Sequence, residues 1–374
     1  FSMPSNSIRT KNINPTEYVS TENLLPNKAG VSKYTSNIDY AFVREYKVGD
    51  SLMSNIRPYL KKIWFSDRNG GCSSDVIVFR SSKEVNSLYA YFVLSDDRIF
   101  RLAMETSIGT KMPRGDKSAI VSFPIALPKD KSEQQNIASA LSSIDKLIDD
   151  LGRTIQKKQL IREGAMEELL SGKKRLPGFT EEWVEKKIGE VCNTASGGTP
   201  SRSNPNYYTG KIKWFTTAEL NDGWLLDSME HISEEAIKNS SVKIFKEGTL
   251  LMAMYGATIG KLGILSSEAA TNQACCAFES KEMDLIYLFY FLFAKRQQIL
   301  SLGAGAGQPN ISQQIIKNIP INIPHIREQH AIANILTSMD DEISVLQIEK
   351  TKYEQIRSGM MEELLTGKKR LIKK

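Results

Sequence analysis

The run EQQNIASALSSIDKLIDDLGRTIQKKQLIREGAMEELLSGKKRL, from Glu133 to Leu176, returns as EQHAIANILTSMDDEISVLQIEKTKYEQIRSGMMEELLTGKKRL, from Glu328 to Leu371. The copies align without a gap, and about half of their positions are identical. Self-similarity this strong sets the architecture before any local reading does. In the first copy Ile137, Leu141, Ile144, Ile148, Leu151 and Ile155 step by four and three in alternation. Ile332, Leu336, Met339, Ile343 and Leu346 do the same in the second. So narrow an apolar stripe predicts one long helix per copy, packed along another long helix. Both copies end in MEELL, then Ser or Thr, then Gly, then KKRL. Glycine suits the position after a helix, and Lys and Arg there complement the negative end of the helix dipole.

Working outward, the rest of the chain doubles as well. Residues 1–128 offer strand patterns at Tyr18–Leu25, Ser51–Ile56, Ile63–Phe65, Asp75–Arg80 and Ile120–Leu127. A helical stretch lies at Leu88–Met104 and a basic loop at Thr110–Lys117. After Leu176-Pro-Gly-Phe179 the order repeats. Trp214–Leu220 matches Tyr18–Leu24, Glu247–Met252 matches Val48–Met53, and Tyr255–Lys261 matches Asn55–Lys61. Ile286–Leu300 takes the place of the helix, Gly307–Ile311 that of the Lys111 loop, and Ile319–Pro324 that of Phe123–Pro128. The fold class is therefore α+β. Two mixed domains, 1–128 and 178–324, alternate with two helical segments, 129–177 and 325–374. The helices are expected to run antiparallel as a coiled coil about an internal pseudo-two-fold. The first domain has only a short polar segment before Tyr18, with no counterpart to the lead-in through Trp183 and Gly197-Gly198-Thr199-Pro200. Phe1 and Ser2 precede Met3, which reads as the natural start.

Composition narrows the classes. At 374 residues, with 41% hydrophobic and 25% charged residues, the chain suits two soluble domains. Its formal net charge of +6 permits a nucleic-acid partner without requiring one. Cys72, Cys192, Cys275 and Cys276 lack regular spacing, so they read as reduced core thiols of a cytoplasmic protein. No apolar run is long enough to span a bilayer. No H-E-x-x-H, G-x-S-x-G, P-loop or G-x-G-x-x-G occurs, so no catalytic or metal site is expected. His330 reads as a solvated position early in a helix, Gly303–Gly307 as a poor phosphate loop, and Asn204–Tyr208 as a turn followed by aromatics.

The two domains have diverged far more than the two helices. The helices do one job twice, while the domains put different surfaces on one fold. Helices of about 38 residues would be about 57 Å long, a spacer suited to two half-sites on DNA. In the first domain Arg57, Tyr59, Lys61, Lys62, Lys111, Arg114 and Lys117 are candidate DNA contacts. Thr199, Arg202, Tyr208, Lys211, Lys213, Lys261, Gln308 and Asn310 are those of the second. Lys and Arg suit phosphates and guanine edges, and Asn and Gln suit adenine. Taken one by one, each cation reads more readily as solvated than as base-reading, and Tyr207 and Tyr255 can be read as core. Polar loops at matching places in both repeats favour nucleic acid. The repeated outer helix surface, with Glu167, Glu168, Glu362 and Glu363, is the expected docking face for two copies of one partner.

The chain resembles the specificity subunit of type I restriction-modification systems. The carrying motifs are Glu133-Gln134 with Ile137-Ala138, Glu328-Gln329 with Ile332-Ala333, and the doubled MEELL-x-GKKRL ends. Gly197-Gly198-Thr199-Pro200, Tyr255–Gly260, Gly307–Ile311 and Ser54–Leu60 complete the pattern over nearly the whole chain. The resemblance implies two target-recognition domains reading the halves of a bipartite, asymmetric sequence in double-stranded DNA. It implies helices that set the gap and dock two modification subunits, which carry adenine methylation and S-adenosylmethionine. A restriction subunit, with ATP and magnesium, would join them, and this chain would itself be non-catalytic and bind no cofactor. A scaffold whose heads bind proteins is the alternative. Such heads should expose aromatic and apolar anchors with fewer lysines. A chain that methylates or cuts DNA by itself is disfavoured by the missing cofactor loop and nuclease cluster.

Overall fold

The computed structural model describes residues 1–302 and 310–371. In chain order the described helices are α1 Ser87–Leu94, α2 Asp97–Glu105, α3 Lys117–Val121, α4 Lys131–Leu170, α5 Ile188–Val191, α6 Glu234–Lys238, α7 Leu285–Leu302, α8 Gln313–Lys317 and α9 Ile326–Leu365. The chain forms two compact units, Phe1–Arg153 with Gln347–Lys374, and Thr154–Leu346. Each unit thus owns one mixed domain, the beginning of one long helix and the end of the other.

In the first unit, Ser51–Ser54 pairs antiparallel with Ile63–Phe65 and with Val76–Phe79. Alternation along these strands sends side chains to opposite faces. Leu52, Trp64, Val76 and Val78 meet Val19, Tyr46 and Cys72 of a second, four-stranded sheet, and Leu24 just beyond its strand Tyr18–Val19. Met53, Ile63, Ile77 and Phe79 meet Leu94, Ile99, Phe100, Ala103 and Ile120 of α1, α2 and α3. The other side of α1, through Tyr89, Phe92 and Val93, packs on Ile137, Ala138 and Leu141 of α4 and on Met361, Leu364 and Leu365 of α9.

The second unit repeats the plan. Leu250–Ala253 pairs with Leu262–Leu265 and with Cys275–Glu279. Leu251, Ala253, Leu265, Cys275 and Ala277 face Phe215, Leu220, Leu225 and Phe245. Leu250, Met252, Leu262, Ile264 and Phe278 face α7 in a cluster that also takes Met166, Leu169 and Leu170 of α4 and Ile332, Ala333 and Leu336 of α9.

The long helices are antiparallel within each unit. Asp145 meets Arg357 and Glu133 meets Arg370 in the first. Lys158 meets Glu342 and Arg162 meets Asp340 in the second. Gly172 and Gly367 follow the two helices with φ of 70° and 75°, the left-handed conformation glycine adopts freely. Ile137, Leu141, Ile144, Ile155, Ile332, Leu336 and Ile343 are buried, and Ile148, Leu151, Met339 and Leu346 are half-buried. At its outer ends the stripe is covered by a head helix, α1 or α7, as well as by the opposite long helix. The pattern read as a two-helix seam is there a three-helix core.

One expected strand is corrected. Ile120–Leu127 does not form a strand: Lys117–Val121 is α3, begun by Asp116, whose side chain accepts from Ser118 N–H at 2.8 Å. Its counterpart Pro320–Ile323 is a strand because Val184–Lys187 pairs with it. Among the described residues, no segment of the first unit pairs with 123–128. His330 lies in α9 with its imidazole Nε2 3.4 Å from Asp284 Oδ2.

Candidate nucleic-acid interface

In the first unit the strand Ser51–Ser54 runs into a loop that turns through Arg57 and Lys61, each with φ of 50°. The left-handed conformation costs a non-glycine residue about 1 kcal/mol. This loop is laced to the segment before α3. Arg57 N–H donates to Pro113 C=O at 2.8 Å and Gly115 N–H to Asn55 C=O at 3.0 Å. Ile56 stands opposite Arg114, and Arg114 exchanges two backbone bonds of 3.0 Å with Ile108. Arg57, Tyr59, Lys111 and Arg114, distant in sequence, therefore stand on two joined loops, with Lys117 at the start of α3.

These cations differ in what holds them. Lys61 Nζ lies 2.8 Å and Lys28 Nζ 2.6 Å from the carboxylate of Asp97. Burial opposes ionisation of Asp97, but the two ammonium groups hold its pKa below the usual value. Lys62 Nζ donates to Thr21 C=O at 2.6 Å, and burial lowers its pKa. Arg114 lies 3.1 Å from Asp75. Lys117 is lowered first by burial, then by Arg44, with Asp75 opposing. Arg57 and Lys111 make no ion pair among the described residues. A buried acceptor, Asn55 Oδ1, has no partner there either.

The second unit laces the same two segments. Ala253 N–H donates to Lys261 C=O and Met254 N–H to Ala274 C=O, as Ser54 does to Lys62 and Asn55 to Asp75. Tyr255 stands opposite Asn310, as Ile56 does Arg114. Arg57 and Lys61 thus correspond to Gly256 and Gly260, whose φ values are 89° and 77°. The sequence match that set Lys61 against Lys261 is one residue out: Lys62 is the counterpart of Lys261. Both Lys261 and Asn310 are exposed, whereas Gln308 lies outside the described residues.

Four other candidates of this unit are held by neighbours. Arg202 makes a two-pronged pair with Glu230 and stacks 4.1 Å from the ring centre of Tyr208. Tyr208 hydroxyl donates to Pro200 C=O at 2.7 Å, and burial raises its pKa. Thr199 hydroxyl bonds Gln273 Oε1. Lys213 Nζ donates to Leu226 C=O and to Ser267 Oγ. Sequence alone offered no sign of these long-range partners.

The repeated helix motifs form a joint in each unit that sequence reading did not anticipate. Glu133 accepts from Arg370 Nε at 2.7 Å and Nη2 at 2.6 Å; Glu328 accepts from Arg175 Nε at 2.7 Å and Nη2 at 2.8 Å. Both glutamates are buried. Arg370 holds the Glu133 carboxyl below its ordinary pKa. The adjacent glutamine grips the head. Gln134 Oε1 accepts from Asn86 N–H at the start of α1, and its Nε2 donates to Pro128 C=O. Gln329 does likewise with Asp284 N–H before α7 and with Pro324 C=O. The signal was present in the identical Glu-Gln and Arg at opposite ends of each repeat. Glu167 and Glu362 are exposed and pair with Lys173 and Lys368 at 2.8 and 2.6 Å. Glu168 and Glu363 lie 3.6 and 3.9 Å from Lys174 and Lys369.

Among the described residues no cluster of three or more His, Cys, Asp or Glu could hold a metal ion. Burial pushes the thiols of Cys72, Cys275 and Cys276 up to about 12 and that of Cys192 to about 11, so they stay protonated. No described helix is long and apolar enough to cross a membrane.

The family model for the type I restriction modification DNA specificity domain matches residues 7–160 and 180–358. The chain is 28% identical over 338 residues to the type I restriction enzyme MjaVIII specificity subunit of Methanocaldococcus jannaschii, covering 82% of this chain and 76% of that one. It is 26% identical over 174 residues to the EcoR124I/EcoR124II specificity subunit of Escherichia coli, covering 44% of this chain and 43% of that one. A crystal structure of the type I restriction-modification S subunit from M. genitalium shares the fold, with a TM-score of 0.62 at 17% identity over 97% of this chain and 96% of that one.

Proposed function

The chain belongs to the family of type I restriction modification DNA specificity domains, and on that premise we propose how its parts divide the work. It is the DNA specificity subunit of a type I restriction-modification system, non-catalytic itself and without a cofactor of its own. The recognition domain of residues 1–128 reads one half of a bipartite, asymmetric target in double-stranded DNA, and that of residues 178–324 reads the other. Arg57, Tyr59, Lys61, Lys111, Arg114 and Lys117 serve the first half. Thr199, Arg202, Tyr208, Lys261, Gln308 and Asn310 serve the second. The observation that carries this reading is the pair of laced loops at the same place in both units, bearing different side chains on one backbone plan. Arg57 and Lys61 keep a left-handed backbone where the second unit has glycine, which favours a role for their side chains.

The long helices set the gap and dock two copies of the modification subunit. Lys157, Ile161, Gly164 and Glu168 of α4 are repeated identically by Lys352, Ile356, Gly359 and Glu363 of α9, and all eight are exposed. Their spacing puts each set on one helix face. A Cβ on Gly164 or Gly359 would meet nothing within 4 Å. Among the described residues nothing calls for glycine there, although glycine inside a helix costs about 1 kcal/mol relative to alanine. Ile161 and Ile356 are 49% and 40% exposed. Two like faces with room for close approach suit two like partners, with Glu167 and Glu362 beside them. The partners supply S-adenosylmethionine and adenine methylation, the restriction subunit brings ATP and magnesium, and the whole acts in the cytoplasm. Methylation mapping in cells with and without this gene tests the reading. One motif of two half-sites at a single gap supports it, whereas an unchanged methylome refutes it.

A further inference from the structure

We infer that the first unit drives an apolar wedge, Ile108 with Met112, into a base-pair step of its half-site and unstacks it. The inference rests on the reading of this unit as a DNA-binding head. Ile108 is 81% exposed and Met112 46%, on the loop that Ile108 and Arg114 close with their two backbone hydrogen bonds. Removing an apolar side chain from water is favourable, and in the free chain Ile108 gains little of that and Met112 only part. A polar residue would serve an exposed turn equally well. The loop is also firm. Gly109 turns it with φ of 96°, and Arg57 N–H ties Pro113 C=O to the neighbouring loop. A side chain on such a base enters a partner without first being ordered.

The surroundings select the partner. Arg57, Lys111, Arg114 and Lys117 stand on the same laced segments, and Tyr59, 53% exposed, lies on the adjoining turn. Of the acids beside them, Asp75 is paired with Arg114 and Asp116 caps α3 by accepting from Ser118 N–H. An apolar tip ringed by cations fits a polyanion with an apolar interior, which is the stacked duplex. Aliphatic wedges of this kind unstack base steps and bend the helix. Pyrimidine–purine steps open most readily, so the wedge would add a preference at a position no side chain hydrogen-bonds.

The test uses the complex with its modification subunits and a duplex carrying the motif found by methylation mapping. 2-Aminopurine is placed in turn at each first-half position other than the methylated adenine. The wild type should brighten one position several-fold. The double variant Ile108→Ser, Met112→Ser should lose that signal and about tenfold in affinity, with binding partly restored by a mismatch at the same step. Ile108→Leu should keep the signal. Tight binding of the motif with no brightened position, or with brightening unchanged in the double variant, overturns the wedge and leaves the DNA reading intact. Failure of the wild-type complex to prefer the motif overturns the DNA reading itself. Loss of the modification subunits in the double variant would make the tip a protein contact and also overturn the wedge.

Discussion

Glu133, near the start of the first long helix, holds Arg370, just past the end of the second, through two bonds of 2.7 and 2.6 Å. Glu328 and Arg175 repeat the arrangement in the other unit. With Gln134 and Gln329 binding the head helices, each joint ties a head, the beginning of one long helix and the end of the other. Glu133→Gln keeps the shape and removes the charge. It should lower the urea midpoint of the first unit, and exchanging the charges with Glu133→Arg and Arg370→Glu should recover part of the loss.

The same pair gives a pH signature. Arg370 holds the Glu133 carboxyl below its ordinary 4.5. A depressed pKa contributes stability in full above the unfolded value, and that contribution goes as pH falls through the folded one. Thermal scans of wild type and Glu133→Gln should therefore differ at neutral pH and converge in acid, as pH falls from 4.5 through the depressed pKa of the folded state. A difference that persists in acid would contradict the ion pair.

Leu141 and Leu336 are fully buried where each long helix meets a head helix. Truncating either to alanine should cost about 2–5 kcal/mol. Aspartate at both positions should abolish assembly with the modification subunit. Native-like complexes from the double aspartate variant would show that these positions are not the core they form here.

Ile161 and Ile356 stand on like, exposed faces. Ile161→Asp alone should leave a complex with one modification subunit, and Ile161→Asp with Ile356→Asp a chain with none. Mass photometry counts the copies. Two copies on the double variant would place the docking face elsewhere.

Arg57→Gly should raise stability by about 1 kcal/mol by relieving a left-handed backbone, while weakening DNA binding. A gain in stability with unchanged affinity would make Arg57 a turn residue only.

What sequence could disclose follows the range of the interactions. The helices were legible because Ile137, Leu141, Ile332 and Leu336 repeat at a local period, and Gly172 and Gly367 end them by a local rule. The strand expected at Ile120–Leu127 failed because a strand needs a partner, and Val184–Lys187 supplies one only to its counterpart. The one-residue offset between Lys61 and Lys261 escaped notice because a left-handed Arg57 stands for Gly256, which no residue-type match suggests. Arg202 looked free because Glu230 lies 28 positions away. The exposure of Ile108 depends on lacing between loops and cannot be read from its neighbours in sequence.

That each head reads its own half-site is tested by mapping methylation in cells that carry wild type or Lys111→Ala with Arg114→Ala, together with the modification subunit. Removing a side chain that reads a base edge should cost about 1–3 kcal/mol of discrimination. One bipartite motif is expected for the wild type. In the variant the half read by the first unit should relax, while the other half and the gap remain as they were. Equal loss at both halves, or a single uninterrupted motif, would contradict separate reading by the two heads.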